Sequence, residues 1–165
     1  MIFPEIKIYT PDVFTDFRGD LWTLWKQDGF EPKLNFNHDK VSISRKHTLR
    51  GLHGDAKSWK LVTCLAGEIY LVVVDNRPQS PNYLKWDSVM LTSKNRKSVL
   101  IPPMFVNGHL ILSDEATFFY KWSYPGSYPD VEDQFTLLWN DHRIGIDWPI
   151  SNPIMSKRDK FGYVK

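Results

Sequence analysis

The stretch WKLVTCLAGEIYLVVVD, residues 59–75, consists of two apolar runs that meet at a single glycine. Both runs, 59–65 and 68–75, are rich in Val, Leu, Ile, Thr and aromatic residues, and this composition favours β-strands. A glycine between two such runs is typical of a hairpin turn, so Gly67 predicts that the two strands pair with each other. The stretch therefore predicts a fold of the β class.

Short runs of the same kind continue on both sides of this stretch, separated by Gly, Pro, Asn and Asp. Many short strands at regular spacing are typical of a sandwich, a jelly roll or a barrel. The predicted strands cover residues 2–9, 20–26, 41–46, 59–65, 68–75, 86–92, 97–101, 105–112 and 116–123. After residue 130, polar segments with frequent prolines predict short helices or irregular structure. Neither a repeat nor a linker divides the chain, so residues 1–165 are predicted to form a single domain.

The composition excludes several classes of protein. No apolar run approaches the roughly 20 residues that span a bilayer, and the N-terminal residues lack the pattern of a signal peptide. The formal net charge is only +2 and the basic residues are dispersed, so we expect no nucleic-acid partner. The single cysteine, Cys64, excludes an internal disulfide. Together these features predict a cytoplasmic protein with no membrane contact.

Alternation along the predicted strands shows which side chains share a face. Ser42 and Ser44 share a polar face. Three further faces combine polar with apolar or aromatic groups: Lys60 with Val62 and Cys64; Asn107 with Phe105, His109 and Ile111; and Tyr120 with Phe118 and Trp122. A buried polar group without a partner costs roughly 1–3 kcal/mol, so such faces are unfavourable in a purely apolar core. They indicate a barrel whose lumen holds a polar ligand.

Residues 49–53 read LRGLH, and the fragments D-x-R-G at 16–19 and S-x-S at 42–44 precede them. Further fragments follow in order: KLV at 60–62, IP at 101–102, YK at 120–121, WND at 139–141, IGIDWP at 144–149 and SKRD at 156–159. In their order and spacing, these fragments resemble the dTDP-4-dehydrorhamnose 3,5-epimerase family. The resemblance implies an all-β fold, a cupin-type jelly-roll barrel, with short helical segments at the C-terminus.

The resemblance also implies a reaction. The family acts on nucleotide-diphospho-4-keto sugars, in which protons next to the ketone are acidic because the carbanion delocalises into an enolate. His53 is the implied base, and Asp159 orients it as in other His–Asp pairs. Tyr120 is the implied acid on the opposite face of the ring, and Lys60 stabilises the enolate oxygen. We expect inversion at both C3 and C5.

Two arginines are implied to bind the substrate. Arg50 and Arg18 match residues that hold the diphosphate, for which the planar guanidinium group is well suited. In the family, the N-terminal arm that carries Arg18 reaches the site of the neighbouring subunit. The resemblance therefore implies a homodimer, in which this arm also covers an open sheet edge.

The chain departs from the family at positions that contact substrate. The family usually has Gln where this chain has His38, and Asn where it has Lys40. The family's Ala-His-Gly reads V-N-G at 106–108, and the loop of residues 54–59 is shorter than usual. These departures favour the branch of the family that acts on GDP-linked 4-keto heptoses of capsule pathways over the dTDP-rhamnose branch. The substrate contacts expected at or beside the altered positions are His38, Lys40, Asn107 and His109.

Two other functions stay open on these residues. A 3,4-ketoisomerase also moves a proton beside the ketone, but it transfers the carbonyl instead of inverting a centre. A non-catalytic cupin that binds nucleotide sugars would need no tyrosine opposite the histidine. The five histidines are dispersed and form no His-x-His pair with a downstream Glu, so we predict no metal and no other cofactor.

Overall fold

The computed structural model describes residues 1–29, 31–126 and 133–162. Almost all of the regular structure in these residues is β-strand, apart from a 3₁₀ turn at Gln27–Gly29 and a short helix, α1, at Lys157–Phe161. The strands are β1 Lys7–Tyr9, β2 Val13–Asp16, β3 Gly19–Trp22, β4 His38–Arg45, β5 Leu49–Gly54, β6 Trp59–Ala66, β7 Glu68–Asp75, β8 Trp86–Thr92, β9 Ser98–Ile101, β10 Phe105–Ile111, β11 Glu115–Ser123 and β12 Phe135–Thr136. No helix within these ranges is long and apolar enough to cross a membrane.

The strands form two five-stranded antiparallel sheets and a separate hairpin. The first sheet has the order β1-β9-β6-β11-β4, and the second sheet has the order β12-β5-β10-β7-β8. Strands β2 and β3 pair only with each other among the described strands. Except for β7 and β8, the neighbours in each sheet are not consecutive strands in the sequence, as in a jelly roll, and the all-β prediction is confirmed.

The predicted pairing of the two runs around Gly67 is wrong. Strand β6 lies between β9 and β11 in the first sheet, whereas β7 lies between β10 and β8 in the second sheet. Gly67 is therefore the point at which the chain passes from one sheet to the other. Its φ of +83° and its closeness to the Glu115 carbonyl oxygen, 2.3 Å from where a Cβ would lie, both require glycine. Both strands are interior to their sheets, and both are largely buried on both faces.

Several strand boundaries differ from the prediction. Residues 68–75 and 86–92 are strands as predicted, but the predicted strand 2–9 is regular only at Lys7–Tyr9. The prediction missed β2, β5 and β12 altogether. Strand β5 contains a glycine with positive φ, and β12 has only two residues, so neither shows an alternating pattern long enough to detect.

The space between the two sheets is filled by an apolar cluster. It combines side chains from both sheets with Phe3 and Ile6 from the N-terminal segment. The same cluster contains Val62 and Phe118, whose side chains also line a cavity. The core therefore supports the wall of that cavity directly.

Candidate active site

A cavity of about 320 Å³ opens between the two sheets. The first sheet contributes Ser42, Lys60, Val62, Phe118, Tyr120 and Trp122. The second sheet contributes Arg50, His53, Asn107 and His109, and the C-terminal segment contributes Gln134, Ser156, Arg158 and Asp159. Residues from each of the four strand faces considered above thus line one lumen.

The cavity brings together seven of the ten residues that were predicted to form the site: Arg50, His53, Lys60, Asn107, His109, Tyr120 and Asp159. The other three lie outside its wall. Arg18 is in the exposed β2–β3 hairpin, where its guanidinium lies 2.6 Å from the Asp16 carboxylate. His38 and Lys40 are on β4, and Lys40 Nζ lies 5.4 Å from the centre of the Trp122 ring. Both β4 residues are therefore next to the cavity wall and not in it.

His53 and Asp159 form an ion-pair contact. His53 Nε2 lies 2.8 Å from Asp159 Oδ1, and neither atom has another hydrogen-bonding partner among the described residues. Burial acts to raise the pKa of Asp159, but the contact with His53, the Ser156 contact and the charge of Arg158 lower it below its usual value. Asp159 is therefore ionised at neutral pH, and its carboxylate lies against the His53 ring.

The C-terminal segment reaches His53 because it is tied to the edge of the second sheet. The Leu49 amide donates to the Ile154 carbonyl oxygen at 2.9 Å, and Arg158 donates to Thr136 Oγ1 on β12 at 2.8 Å. Ser156 is the N-cap of α1, and its hydroxyl accepts from the Asp159 amide at 3.1 Å. These contacts at both ends of the segment place the Asp159 carboxylate beside β5.

Gly51 explains how Arg50 and His53 both face the cavity. Residues three apart on a regular strand point to opposite faces, but β5 is irregular here, with Arg50 opposite His109 and His53 opposite Asn107. Gly51 has a φ of +119°, and a Cβ at this position would lie 2.5 Å from the Gly108 Cα on β10. A glycine in the LRGLH motif is thus required by backbone conformation and by close strand packing.

The side chain of Lys60 extends from the first sheet across the cavity to residues of the second sheet. Its buried ammonium donates to the His53 carbonyl oxygen at 3.3 Å and to Asn107 Oδ1 at 3.4 Å, and it lies 5.0 Å from the centre of the Trp122 ring. Burial lowers the pKa of Lys60 to about 8, with opposing effects from Asp55 and Arg158. The group is a cation at neutral pH whose partners are all uncharged.

Aromatic rings form a continuous wall along β11. The Phe118 and Tyr120 rings are 5.4 Å apart, the Tyr120 and Trp122 rings are 5.9 Å apart, and the His109 ring stacks on Phe118 at 4.0 Å. Burial raises the pKa of Tyr120, with a smaller opposing effect from the charge of Arg50. The phenol therefore keeps its proton at neutral pH and is able to donate it.

His109 is an uncharged imidazole in the cavity wall. Burial lowers its pKa to about 3, and the charges of Arg50 and His53 act in the same direction. Its Nε2 atom is buried and has no hydrogen-bonding partner among the described residues, and the same is true of Ser42 Oγ.

The cavity is rich in positive charge. Arg50, Lys60 and Arg158 line it, opposed by the carboxylate of Asp159. Sequence reasoning missed Arg158, although it stands next to Asp159 in the SKRD fragment. In the described part of the chain, no three His, Cys, Asp or Glu side chains are grouped as metal ligands. The arrangement is suited to an anionic ligand and to proton transfer.

Comparison with known proteins identifies the family. The family model for dTDP-4-dehydrorhamnose 3,5-epimerase matches residues 1–163. The chain belongs to the dTDP-4-dehydrorhamnose 3,5-epimerase family. Members of this family are isomerases that act on sugar derivatives.

Two curated relatives named dTDP-4-dehydrorhamnose 3,5-epimerase show the extent of the similarity. The one from Escherichia coli (strain K12) is 40% identical over 164 residues, which cover 94% of this chain and 87% of the relative. The one from Shigella flexneri is 39% identical over 163 residues, covering 94% of this chain and 88% of the relative.

A solved structure supports the same assignment. The dTDP-6-deoxy-D-glucose-3,5-epimerase of Legionella pneumophila Philadelphia 1, in complex with dTDP-4-keto-L-rhamnose, superposes with a TM-score of 0.90 and 33% sequence identity. The match covers 96% of this chain and 87% of that structure. The prediction of a cupin-type β fold is confirmed.

Proposed function

We propose that this epimerase inverts the carbons on either side of the ketone, C3 and C5, in a nucleotide-diphospho-4-keto sugar. One observation carries the proposal: the His53–Asp159 pair and Tyr120 face the same cavity from opposite sheets. A base and an acid on opposite sides of a ring are what inversion by proton transfer requires. The reaction needs no group beyond those in the cavity wall.

The first half of the reaction removes a proton. His53 takes the proton from the carbon next to the ketone, and the electron pair of that C–H bond moves into the enolate. The ammonium of Lys60 stabilises the negative oxygen, and Asp159 stabilises the imidazolium. A low-dielectric site makes both interactions stronger than in water.

The second half returns a proton to the other face. The electron pair of the enolate takes the phenolic proton of Tyr120, and the ketone forms again with the centre inverted. His53 then holds one proton more and Tyr120 one fewer than at the start. Exchange with solvent restores both residues before the next turnover.

The positive charges account for binding of the diphosphate. Arg50 and Arg158 both line the cavity that contains His53, and their guanidinium groups suit phosphate oxygens. Arg18 lies on the exposed hairpin, so its proposed contact with the diphosphate requires the arm of a second subunit.

Two substrates are candidates for this site. The named relatives favour a dTDP-linked 4-keto-6-deoxyhexose, and the Legionella structure holds dTDP-4-keto-L-rhamnose. The departures at His38, Lys40 and Asn107 and the short loop of residues 54–59 favour a GDP-linked 4-keto heptose instead. Either substrate fits biosynthesis of a capsule or surface polysaccharide sugar.

Exposed apolar side chains support the proposed homodimer. On the β2–β3 hairpin, Phe14 and Leu21 are each 72% exposed, and on the edge strand β4, Val41 and Ile43 are 58% and 62% exposed. Apolar surface of this extent usually marks an interface. A second copy of the chain would cover it and bring Arg18 towards a cavity.

A cytoplasmic location stays a prediction.

The experiment that tests the proposed function is incubation with a panel of dTDP- and GDP-linked 4-keto sugars in deuterated water. NMR of the product is expected to show inversion with deuterium at both C3 and C5. Deuterium and inversion at C3 alone would contradict the C5 step. A shifted carbonyl would indicate a ketoisomerase, and binding without any exchange would indicate a non-catalytic cupin.

Tyr120→Phe separates the two halves of the reaction. The variant keeps His53, so proton abstraction is expected to continue and to appear as solvent exchange at carbon without inversion. Epimerised product is expected to fall by at least about a hundredfold, the lower range for loss of a general acid. Normal formation of epimerised product would assign the acid to another residue or to water.

A further inference from the structure

Asn107 occupies a position at which the chain departs from its family, and its contact explains what the residue does. Its Oδ1 atom accepts from Lys60 Nζ at 3.4 Å, and its backbone lies opposite His53 in the pairing of β10 with β5. We propose that Asn107 is a positioning residue, which holds the ammonium of Lys60 in the cavity without neutralising its charge. The inference rests on the proposed function, because it concerns the group that stabilises the enolate.

The partners of Lys60 make the choice of an amide significant. The ammonium has three N–H groups, and the structure gives it a carbonyl oxygen, an amide oxygen and an aromatic ring face. None of these partners carries a charge. The negative oxygen of an enolate is therefore the strongest partner that the ammonium would meet, and it appears only during the reaction.

A carboxylate and an apolar side chain at position 107 would change the interactions of the Lys60 ammonium in opposite directions. A carboxylate would pair with the ammonium in the resting enzyme, so the enolate would gain less from it. An apolar side chain would leave the ammonium with one acceptor fewer and free to move. The amide fixes the position of the charge and leaves the charge available.

The charged groups around Lys60 do not hold its ammonium in place, which is the role that we propose for Asn107. Asp55, in the loop before β6, favours the ammonium, and its Oδ1 is occupied by the amides of Lys57 and Ser58. Arg158 on α1 disfavours the ammonium. The other titratable or charged groups in or next to the cavity wall, among the described residues, are His38, Lys40, Arg50, His53, His109, Tyr120 and Asp159.

The test compares Asn107→Asp and Asn107→Ala with the unaltered enzyme. Lysine labelled with ¹³C at Cε reports the pKa of Lys60 directly, and the resonance is assigned by its loss in Lys60→Arg. Asn107→Asp is expected to raise that pKa by roughly one unit or more, and Asn107→Ala is expected to lower it. The alkaline limb of the kcat profile is expected to move in the same two directions.

Both variants are expected to lower kcat at neutral pH by about tenfold, corresponding to loss of one well-placed interaction. Asn82→Asp is the matched control, because Asn82 makes an exposed contact with Lys85 and the substitution adds the same charge away from the cavity. It should leave the Lys60 titration unchanged. The conservative variant Asn107→Gln is expected to restore part of the lost kcat.

The outcomes separate the inference from the proposed function. Equal Lys60 titrations in the Asp, Ala and unaltered proteins would overturn the role of Asn107, whatever the enzyme's substrate. If the two variants move the pKa of Lys60 in opposite directions but leave the alkaline limb of the kcat profile unchanged, the contact with Asn107 is supported and Lys60 is removed from the reaction. An unaltered enzyme with no turnover on any 4-keto sugar would contradict the proposed function, while the NMR titration would still test the contact.

Discussion

At the scale of single residues, the ion pair between His53 and Asp159 gives the most direct prediction. His53→Asn removes the proposed base but keeps a polar side chain of similar size, so turnover should fall by at least about a hundredfold. The measurement is the rate of solvent deuterium incorporation into substrate. His47→Asn, at an exposed histidine, is the control and should react normally. Near-normal exchange by His53→Asn would remove His53 from the mechanism.

The uncharged imidazole of His109 makes the protein sensitive to acid. Its pKa is about 3 when folded, against an unfolded value of about 6.5, so the unfolded chain binds more protons as pH falls below 6.5. Stability is therefore present above this value and lost below it, by about 2 kcal/mol at about pH 5. His109→Phe keeps the ring against Phe118 and should lose less stability between neutral pH and about pH 5.

Thermal unfolding across that pH range measures the effect. His142→Phe is the control, because His142 is exposed and its replacement should leave the pH dependence as it is in the unaltered protein. If His109→Phe were as acid-sensitive as the unaltered protein, the acid sensitivity would have to arise from other groups.

Sequence alone predicted much of the site at this scale, and the reasons are specific. Regular alternation correctly placed Lys60, Asn107, His109, Tyr120 and Trp122 on faces that meet in one cavity. Alternation would have placed Arg50 and His53 on opposite faces, because it takes no account of the irregularity at Gly51. The resemblance alone suggested the pairing of His53 with Asp159, since no local pattern connects β5 to a helix at the other end of the chain.

At the scale of elements, the packing of β5 against β10 depends on Gly51. Gly51→Ala would force a positive φ on alanine and place its Cβ 2.5 Å from the Gly108 backbone. Gly19→Ala is a matched control, because Gly19 has a φ of +123° but no atom within 4 Å of a Cβ. Strain at positive φ costs about 1–3 kcal/mol in both variants, and overpacking adds about 1–3 kcal/mol only in Gly51→Ala.

The midpoint of thermal unfolding measures this difference. Each kcal/mol corresponds to roughly 2–4 °C for a chain of this size, so Gly51→Ala should melt several degrees below Gly19→Ala. Equal midpoints for the two variants would show that the two strands are able to separate at little cost. In that case the packing would not explain the glycine in the motif.

Element pairing was the part of the fold that the sequence predicted least well. The two apolar runs around Gly67 were identified as strands, yet they belong to different sheets. A local pattern reports whether a residue is extended and which face is buried, but partners in a jelly roll are distant in sequence. A glycine with positive φ suits a hairpin turn as well as a crossing between sheets, so the residue types around Gly67 do not distinguish the two.

At the scale of the whole molecule, the exposed apolar surface predicts the state of association. One chain has a mass of 19.4 kDa, and light scattering at micromolar concentration should give about twice this value for a dimer. Ile43→Glu places a charge on the outer face of β4 and should shift the population towards monomer. Met90→Glu, on the far edge of the second sheet, is the control and should remain dimeric.

A monomeric mass for the unaltered protein would contradict the proposed interface. A dimer that Ile43→Glu leaves intact would show that copies associate through another surface. Where Ile43→Glu gives a monomer, the activity of that monomer reveals whether diphosphate binding requires Arg18 from a second chain.

With the proposed roles, the division of the site between two sheets would fix the stereochemistry of the product. His53 and Asn107 belong to one sheet, and Lys60 and Tyr120 belong to the other. The planar carbon of an enolate held between them presents one prochiral face to each sheet. With the proposed roles, handedness is therefore a property of the chain's topology, and a point substitution could slow the reaction but could not reverse its sense. Reversal would require exchanging the donor and the acceptor of protons between strands that never pair.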